Sequence, residues 1–278
     1  MIKPIKHEIN SKYIKLEDYK IFDFQIPETY LNFIIEKDKV IVKTELKVKK
    51  INKEVKEIKL DGIDITIQKI FVNDILLEEN SFIKQETSLK IYLNQKDIFK
   101  INIEGFIKPK ENTALLGMYE SNGIITTQCE AEGFRRISYS SDRPDILSKY
   151  TVRIEADKTD YPILLSNGNL LNKKILNKNR HEVIWEDPFP KPSYLFALVA
   201  GKLNCTKDYF FTKSNKKVDI NIYVEEGYEK FVGHAMVSLK KAMEWDEKKY
   251  NLEYDLSIFN VVAIRHFNMG AMENKGLN

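Results

Sequence analysis

From Val40 to Lys49 the sequence reads VIVKTELKVK: Val40, Val42, Thr44, Leu46 and Val48 are apolar or β-branched, and from Lys43 onward the positions between them are charged. A period of two cannot make a helix with an apolar face. It makes a strand with one buried and one wet side, so the chain needs a sheet with a core beneath it. Ile63, Ile65 and Ile67 alternate in the same way with Asp64, Thr66 and Gln68. Leu89, Ile91 and Leu93, then Phe99, Ile101 and Ile103, repeat the pattern on either side of NQKD, which predicts a hairpin. In YPILLSNGNLL an Asn167-Gly168 pair follows another apolar run, a strong hairpin signal. The prolines of DPFPKPSYLFALVAG bar a helix and lead into an apolar strand ending at Gly201. Residues 1–202 therefore read as one antiparallel β domain.

The pattern then changes. Between Gly227 and Tyr250, Val232, Ala235, Met236, Leu239, Ala242 and Met243 fall on one helical face, with His234 beside the core. A strand, LSIFNVVAI, follows it. One helix and a strand or two cannot enclose a core, so residues 203–278 read as the opening of a mixed α/β domain. The expected class is mostly β with this incomplete α/β addition. A chain of 278 residues has room for one to two domains.

Composition excludes little. Apolar residues at 43% and charged residues at 31% are those of an ordinary globular protein. A net charge of +3, from 44 basic against 41 acidic residues, gives no reason to expect a nucleic-acid or membrane partner. The lysines of KVKKINKEVKEIK are interleaved with Glu54 and Glu57 and carry no stacking aromatic, which reads as a solvated sheet face. Two cysteines and no apolar leader make a cytoplasmic location the default expectation.

The chemistry is found by elimination. HEVIW at His181 starts like the zinc helix H-E-x-x-H, but Trp185 stands where the second histidine is required, and the alternation of Val183 and Trp185 suggests a strand. His7 and His234 have no partner at ligand spacing, so no metal site is expected in this chain. No G-x-S-x-G elbow is present, and the acidic neighbours of Cys129 should raise its thiol pKa. What remains are carboxylates: Glu130 and Glu132 in QCEAEGF, and Glu273 in GAMEN. Gly270 and Ala271 are small enough for another backbone to approach. Glu273 beside them suits a peptide's α-ammonium group. Spacing alone does not establish Glu130 as a second carboxylate.

FNMGAMENKGLN resembles the exopeptidase signature of the aminopeptidase N family of zinc metallopeptidases, in its bacterial alanyl-aminopeptidase branch. TQCEAEGFRRISYSSDRPD, YPILLSNGN, WEDPFPKPSYLFALVAG and SLKKAMEWDEKKYNLEYDL agree with it in order, from about Gln128 to the last residue. The resemblance implies an N-terminal β-saddle or sandwich domain followed near Leu203 by the start of a thermolysin-like catalytic domain. It implies that Glu273, with Glu130, binds the substrate's α-amino group. Gln128 and Met269 would line the first side-chain pocket, and Gly270 and Ala271 would pair with the substrate backbone, flanked by Met272 and Asn274. The family's zinc ligands, general base and intermediate-stabilising tyrosine would come after Asn278. This chain alone is then an inactive front part of a cytoplasmic, monomeric zinc aminopeptidase acting on peptides with a free amino terminus. The alternative is a non-catalytic module that binds peptide termini or a protein. One departure stands out: Arg265 and His266 occupy positions where relatives carry an aspartate and an aromatic.

Overall fold

The computed structural model describes residues 15–94, 97–265, 267 and 269–278. In chain order the strands begin with β1 (Phe24–Ile35), β2 (Val40–Lys50), β3 (Glu57–Asp61), β4 (Thr66–Val72), β5 (Ile75–Leu76) and β6 (Phe82–Lys84). They continue with β7 (Ser88–Tyr92), β8 (Ile98–Ile107), β9 (Gly117–Ser121), β10 (Ile124–Gln128), β11 (Ser148–Asp157) and β12 (Ile163–Ser166). Then come β13 (Asn169–Ile175), β14 (Arg180–Lys191), β15 (Leu198–Gly201), β16 (Asn204–Phe211) and β17 (Lys217–Val224). Helix α1 (Val232–Tyr250) and β18 (Ile258–Ala263) complete the order. The protein is mostly β, built from open sheets.

Eight strands form the largest sheet, in the order β13-β14-β11-β1-β2-β8-β4-β5. It is antiparallel except where β1 runs parallel to β11. A four-stranded sheet, β12-β15-β10-β9, and a three-stranded sheet, β3-β7-β6, complete the β-rich part. β2 shows why the alternating sequence folds this way: Val40, Val42, Thr44, Leu46 and Val48 are buried, while Lys43 and Lys47 pair with Glu104 at 3.1 Å and Glu28 at 2.8 Å on the wet face. Those exposed pairs are each worth under about 1 kcal/mol; the buried rows carry the stability. Between the layers Phe134 packs edge-on against Phe196 and Tyr150, at 5.3 and 6.1 Å between ring centres. The Trp185 indole N–H of β14 donates to the Leu164 carbonyl of β12 at 3.2 Å, tying one sheet to the other.

Both predicted hairpins are layer crossings instead. β7 pairs with β3 and β6, whereas β8 pairs with β2 and β4. Lys50 N–H donates to Asp97 O at 2.9 Å, so the edge of β2 captures the chain before it can turn back on β7. Residues 95 and 96, at the centre of that predicted turn, lie outside the described residues. At Asn167-Gly168 the chain passes from β12, paired with β15, to β13, paired with β14. Gly168 has φ +88°, but Asn167 is not in the left-handed region that a two-residue type I′ turn also needs. The strand expected through Ile63–Ile67 begins only at Thr66, after Asp64 adopts φ +57°.

The fourth sheet, β16-β17-β18, has β17 parallel to β18 and lies against α1. Val218, Ile220, Ile222 and Val224 face Val232, Met236 and Met243 in a second, smaller core. The buried stripe of α1 is narrower than its apolar face suggests. Ala235 and Ala242 are exposed, because three strands cover only one row of the helix. His234 is exposed too, with its Nε2 3.5 Å from Ser238 Oγ, and does not lie beside the core. β17 is buried on both faces: Asn221 and Tyr223 point away from α1, and Tyr223 packs into the larger core.

One buried ion pair gives a pH prediction. Lys191 Nζ lies 3.0 Å from Asp187 Oδ2 and 4.2 Å from the centre of the Tyr150 ring, with both charged residues under 5% exposed. Burial pulls the Lys191 amine down to about 8, against the partial opposition of Asp187. The unfolded chain keeps that proton up to about pH 10.4. Between those values the unfolded state binds more protons, so this group's contribution to stability rises with pH from about 8 and is flat below it. Urea midpoints of the wild type and of Lys191→Met/Asp187→Leu, compared from pH 7.5 to 10, should show the wild type gaining on the variant. A constant difference would mean that Lys191 is not the group that titrates.

Candidate peptide-binding site

The GAMEN stretch is a loop held at both ends by β18. The chain leaves β18 at Ala263 and returns beside it at Gly276. Asn260 N–H donates to Gly276 O at 3.1 Å, Val262 N–H to Asn278 O at 2.8 Å, and Asn278 N–H to Asn260 O at 2.9 Å. β18 is therefore covered by β17 on one side and by residues 276–278 on the other. The return limb is also tied to the β-rich part. Asn167 Nδ2 donates to Lys275 O and to Leu195 O, each at 3.2 Å, and its Oδ1 accepts from Ala197 N–H at 2.7 Å. Lys275 Nζ pairs with Asp255 at 2.5 Å and sits 3.5 Å over the Phe189 ring. Gly276, at φ +82°, packs directly on Gly168, where a Cβ would meet Gly168 N at 2.7 Å.

Between these anchors the loop walls a cavity of about 640 Å³. Residues 269–273 line it, with the end of β18, Thr126 and Thr127 of β10, Val199 of β15 and Ala197 just before it. Its surface is chiefly apolar, and Glu273 is an exposed carboxylate on it. Met269 is exposed, Met272 is half-buried, and a Cβ added at Gly270 would meet no atom within 4 Å. Asn274 is buried, and its Nδ2 has no hydrogen-bond partner among the described residues.

Gln128 and Glu130 lie at the end of β10 and are not among the cavity-lining residues. Gln128 is buried. Its Nε2 donates to Glu130 O at 3.2 Å, and its Oε1 has no partner among the described residues, an acceptor left without a donor. Glu130 is exposed, and its peptide bond to Ala131 is cis. Cys129, between them, is fully enclosed. Burial, reinforced by the nearby Asp142 carboxylate, raises its thiol well above the usual range. The direction matches the sequence reading but the main cause is burial, and the acidic contribution comes from Asp142, not from Glu130 or Glu132.

Sequence reasoning missed Glu225. This residue follows β17, is nearly buried, and lines the same cavity as Glu273. The signal available was an acidic pair, Glu225-Glu226, ending an apolar strand just before Gly227. Arg265 also lines the cavity. Its guanidinium stands 5.5 Å from the Tyr228 ring centre, over an aromatic face. His266 and His7 lie outside the described residues. His181 sits in β14, with Nε2 2.8 Å from Tyr161 O, which removes it as a zinc-helix residue. Among the described residues no group of three or more His, Cys, Asp or Glu side chains is placed to hold a metal ion. The described residues do not fit a zinc centre, and no zinc-dependent step is assigned to them. No helix among the described residues is long and apolar enough to cross a membrane.

Three sheets in the β-rich part, an adjoining mixed sheet with its helix, and a glycine-flanked acidic loop walling an apolar cavity make up the chain whose family the comparisons show. Residues 26–195 match the Peptidase M1 N-terminal domain and residues 234–278 match the Peptidase family M1 domain. The chain is a member of the M1 peptidase family. It is 47% identical over 268 residues to aminopeptidase N of Haemophilus influenzae, covering 96% of this chain and 31% of that protein. To aminopeptidase N of Escherichia coli it is 44% identical over 261 residues, covering 94% of this chain and 30% of that one. Among solved structures it is similar to Legionella pneumophila aminopeptidase A in complex with aspartic acid. The TM-score there is 0.90 at 39% identity, over 95% of this chain and 31% of that one. The chain thus spans about a third of the length of these relatives.

Proposed function

We propose that this chain is the front part of a zinc-dependent aminopeptidase that removes single residues from the free amino end of peptides. Residues 1–202 form its β domain and residues 203–278 open its thermolysin-like catalytic domain. Zinc, its ligands and the general base belong to the part of the relatives' length that this chain does not span, so the chain alone is inactive. One observation carries the reading: in an M1 family member, the G-A-M-E-N loop forms the wall of a mainly apolar cavity and presents Glu273 to it. The substrate's first side chain lies against Met269 and Gln128, and its backbone runs beside Gly270 and Ala271, flanked by Met272 and Asn274. Its α-ammonium sits at Glu273 with Glu130 as the second carboxylate. A carboxylate accepts all the hydrogen bonds an ammonium can direct at it, and apolar walls exclude the water that would compete. These groups measure off one residue from the amino end and do not break the bond. The enzyme is expected to be a cytoplasmic monomer.

The test uses the complete polypeptide and a matched pair of peptides, one with a free amino terminus and one α-N-acetylated. Acetylation removes the cation and adds bulk where the clamp must close, so cleavage of the acetylated peptide should fall by about a hundredfold or more. Equal cleavage of the two would sink the clamp. Intact mass and zinc content from the native source decide between this reading and a non-catalytic module that binds peptide termini or a protein. A species much heavier than 32.6 kDa with one zinc per chain supports the enzyme; a zinc-free species at 32.6 kDa that binds peptides supports the module.

A further inference from the structure

We infer that Glu225 is a positioning residue that fixes the loop carrying Glu273 to the β-rich part of the molecule. Its two carboxylate oxygens are used separately. Oε2 accepts from Asn122 Nδ2 at 2.9 Å, and Oε1 accepts from the backbone N–H of Arg265 at 3.0 Å. Asn122 is in the tight turn between β9 and β10, where it and Gly123 have φ +52° and +78°. Arg265 is the second residue after β18, at the point where the chain leaves the sheet for the GAMEN loop. One nearly buried side chain therefore clasps the hairpin of one sheet to the departure point of a loop on another. The clasp has a second strand: Tyr228 N–H donates to Glu225 O at 3.2 Å, and the Tyr228 ring receives the Arg265 guanidinium. Glu225, Tyr228 and Arg265 line the same cavity as Met269–Glu273, so the departing limb is held on the wall it builds.

Both donors to Glu225 are neutral, so the tie needs two acceptors more than it needs a charge. Glutamine can supply it. Its Oε1 keeps the Arg265 N–H, and the Asn122 amide turns over to accept from the new Nε2. Alanine cannot, and it removes the acceptor from the Arg265 N–H in a part-buried bond.

Hydrogen exchange of the 278-residue chain, read by mass spectrometry on peptides covering residues 262–275, tests this without any catalytic assay. In Glu225→Ala this segment should exchange about tenfold faster, with β1 and β2 unchanged, while Glu225→Gln stays within about threefold of the wild type. A folded Glu225→Ala with unchanged exchange in this segment would overturn the inference, as would a Gln variant as loose as the Ala one. If Glu225→Ala does not fold, Asn122→Gly cuts only the hairpin side and keeps the left-handed turn. The same segment should then exchange severalfold faster, and no change again overturns the inference.

The functional consequence rests on the aminopeptidase reading: in the complete polypeptide Glu225→Ala should raise KM for aminoacyl substrates about tenfold with kcat within about threefold, and Gln should restore it. If the wild-type complete polypeptide has no aminopeptidase activity while the exchange pattern is as described, the proposed function fails and the role of Glu225 stands. If the wild type is active while exchange and KM are unchanged in the folded Ala variant, the role of Glu225 fails and the proposed function stands.

Discussion

Glu273→Gln in the complete polypeptide is expected to lower kcat/KM for peptides with a free amino terminus by about two to three orders of magnitude. The substitution keeps the shape of the side chain and deletes its charge, so any loss reports on the charge. Glu273 stands on a wall made mostly of apolar groups, among them Val261, Met269 and Met272. A substrate ammonium seated there gives up most of its water. Removing the partner of such a charge costs roughly 2–5 kcal/mol, at 1.4 kcal/mol per tenfold in rate. Because Glu273 is exposed in the free chain, the same substitution should leave stability within about 0.5 kcal/mol. Loss of activity without loss of stability is the signature of a binding charge. The preference for free over α-N-acetylated peptides should shrink in parallel, since the variant no longer distinguishes a cation. Unchanged kcat/KM would remove Glu273 from the clamp.

The strands were legible where burial is one-sided. β2 alternates in sequence and in burial because one face meets the core while the other, half-exposed, carries the ion pairs. Pairing was less legible. A run of alternating residues states that one face is buried but not which strand lies beside it. β7 and β8 join different sheets because neighbouring edges, β3 and β6 for one and β2 and β4 for the other, already claim their backbone groups. The N-G turn misled for a related reason. The Asn167 side chain spends its amide on Ala197, Leu195 and Lys275, partners 28 to 108 positions away that a local pattern does not display. In α1 the apolar face was read correctly as a face, but its buried width is set by the three strands beneath it.

The site divides in the same manner. GAMEN is contiguous, so its glycine, small residue and carboxylate could be read together, and the structure sets residues 269–273 on one cavity wall. Glu225 could not be read from sequence, since its two partners are 103 and 40 positions away and become neighbours only when β17, β18 and the β9–β10 turn are assembled. Its type gave no help either, because most acidic residues are surface charges. What a local motif conveys is the group that meets a ligand. What holds that group in place comes from the topology.

That holding is most exposed at Gly168, where the second large effect is expected. Gly168→Ala should destabilise the chain by about 3–5 kcal/mol, or prevent folding. The backbone there has φ +88°, and a Cβ costs roughly 1–2 kcal/mol in the left-handed region. Space is the larger problem. The new methyl would lie 2.0 Å from Glu186 O and 2.6 Å from Asp187 Cα, backbone atoms of a paired strand that cannot rotate away as a side chain could. To admit it, β14 must move from its partners or the crossing from β12 to β13 must swing outward. The second route pushes Gly168 away from Gly276 and stretches the bond from Asn167 to Lys275 O, so damage begun in the β-rich part reaches the return limb of the GAMEN loop. Gly270→Ala is the internal control: its Cβ meets nothing within 4 Å, and the change in stability should be within about 0.5 kcal/mol. Urea unfolding of the two variants beside the wild type measures the contrast. If Gly168→Ala is no more destabilising than Gly270→Ala, the close approach of β14 to this turn does not exist in solution, and the coupling of the β-rich sheets to the loop must run through Glu225 without it.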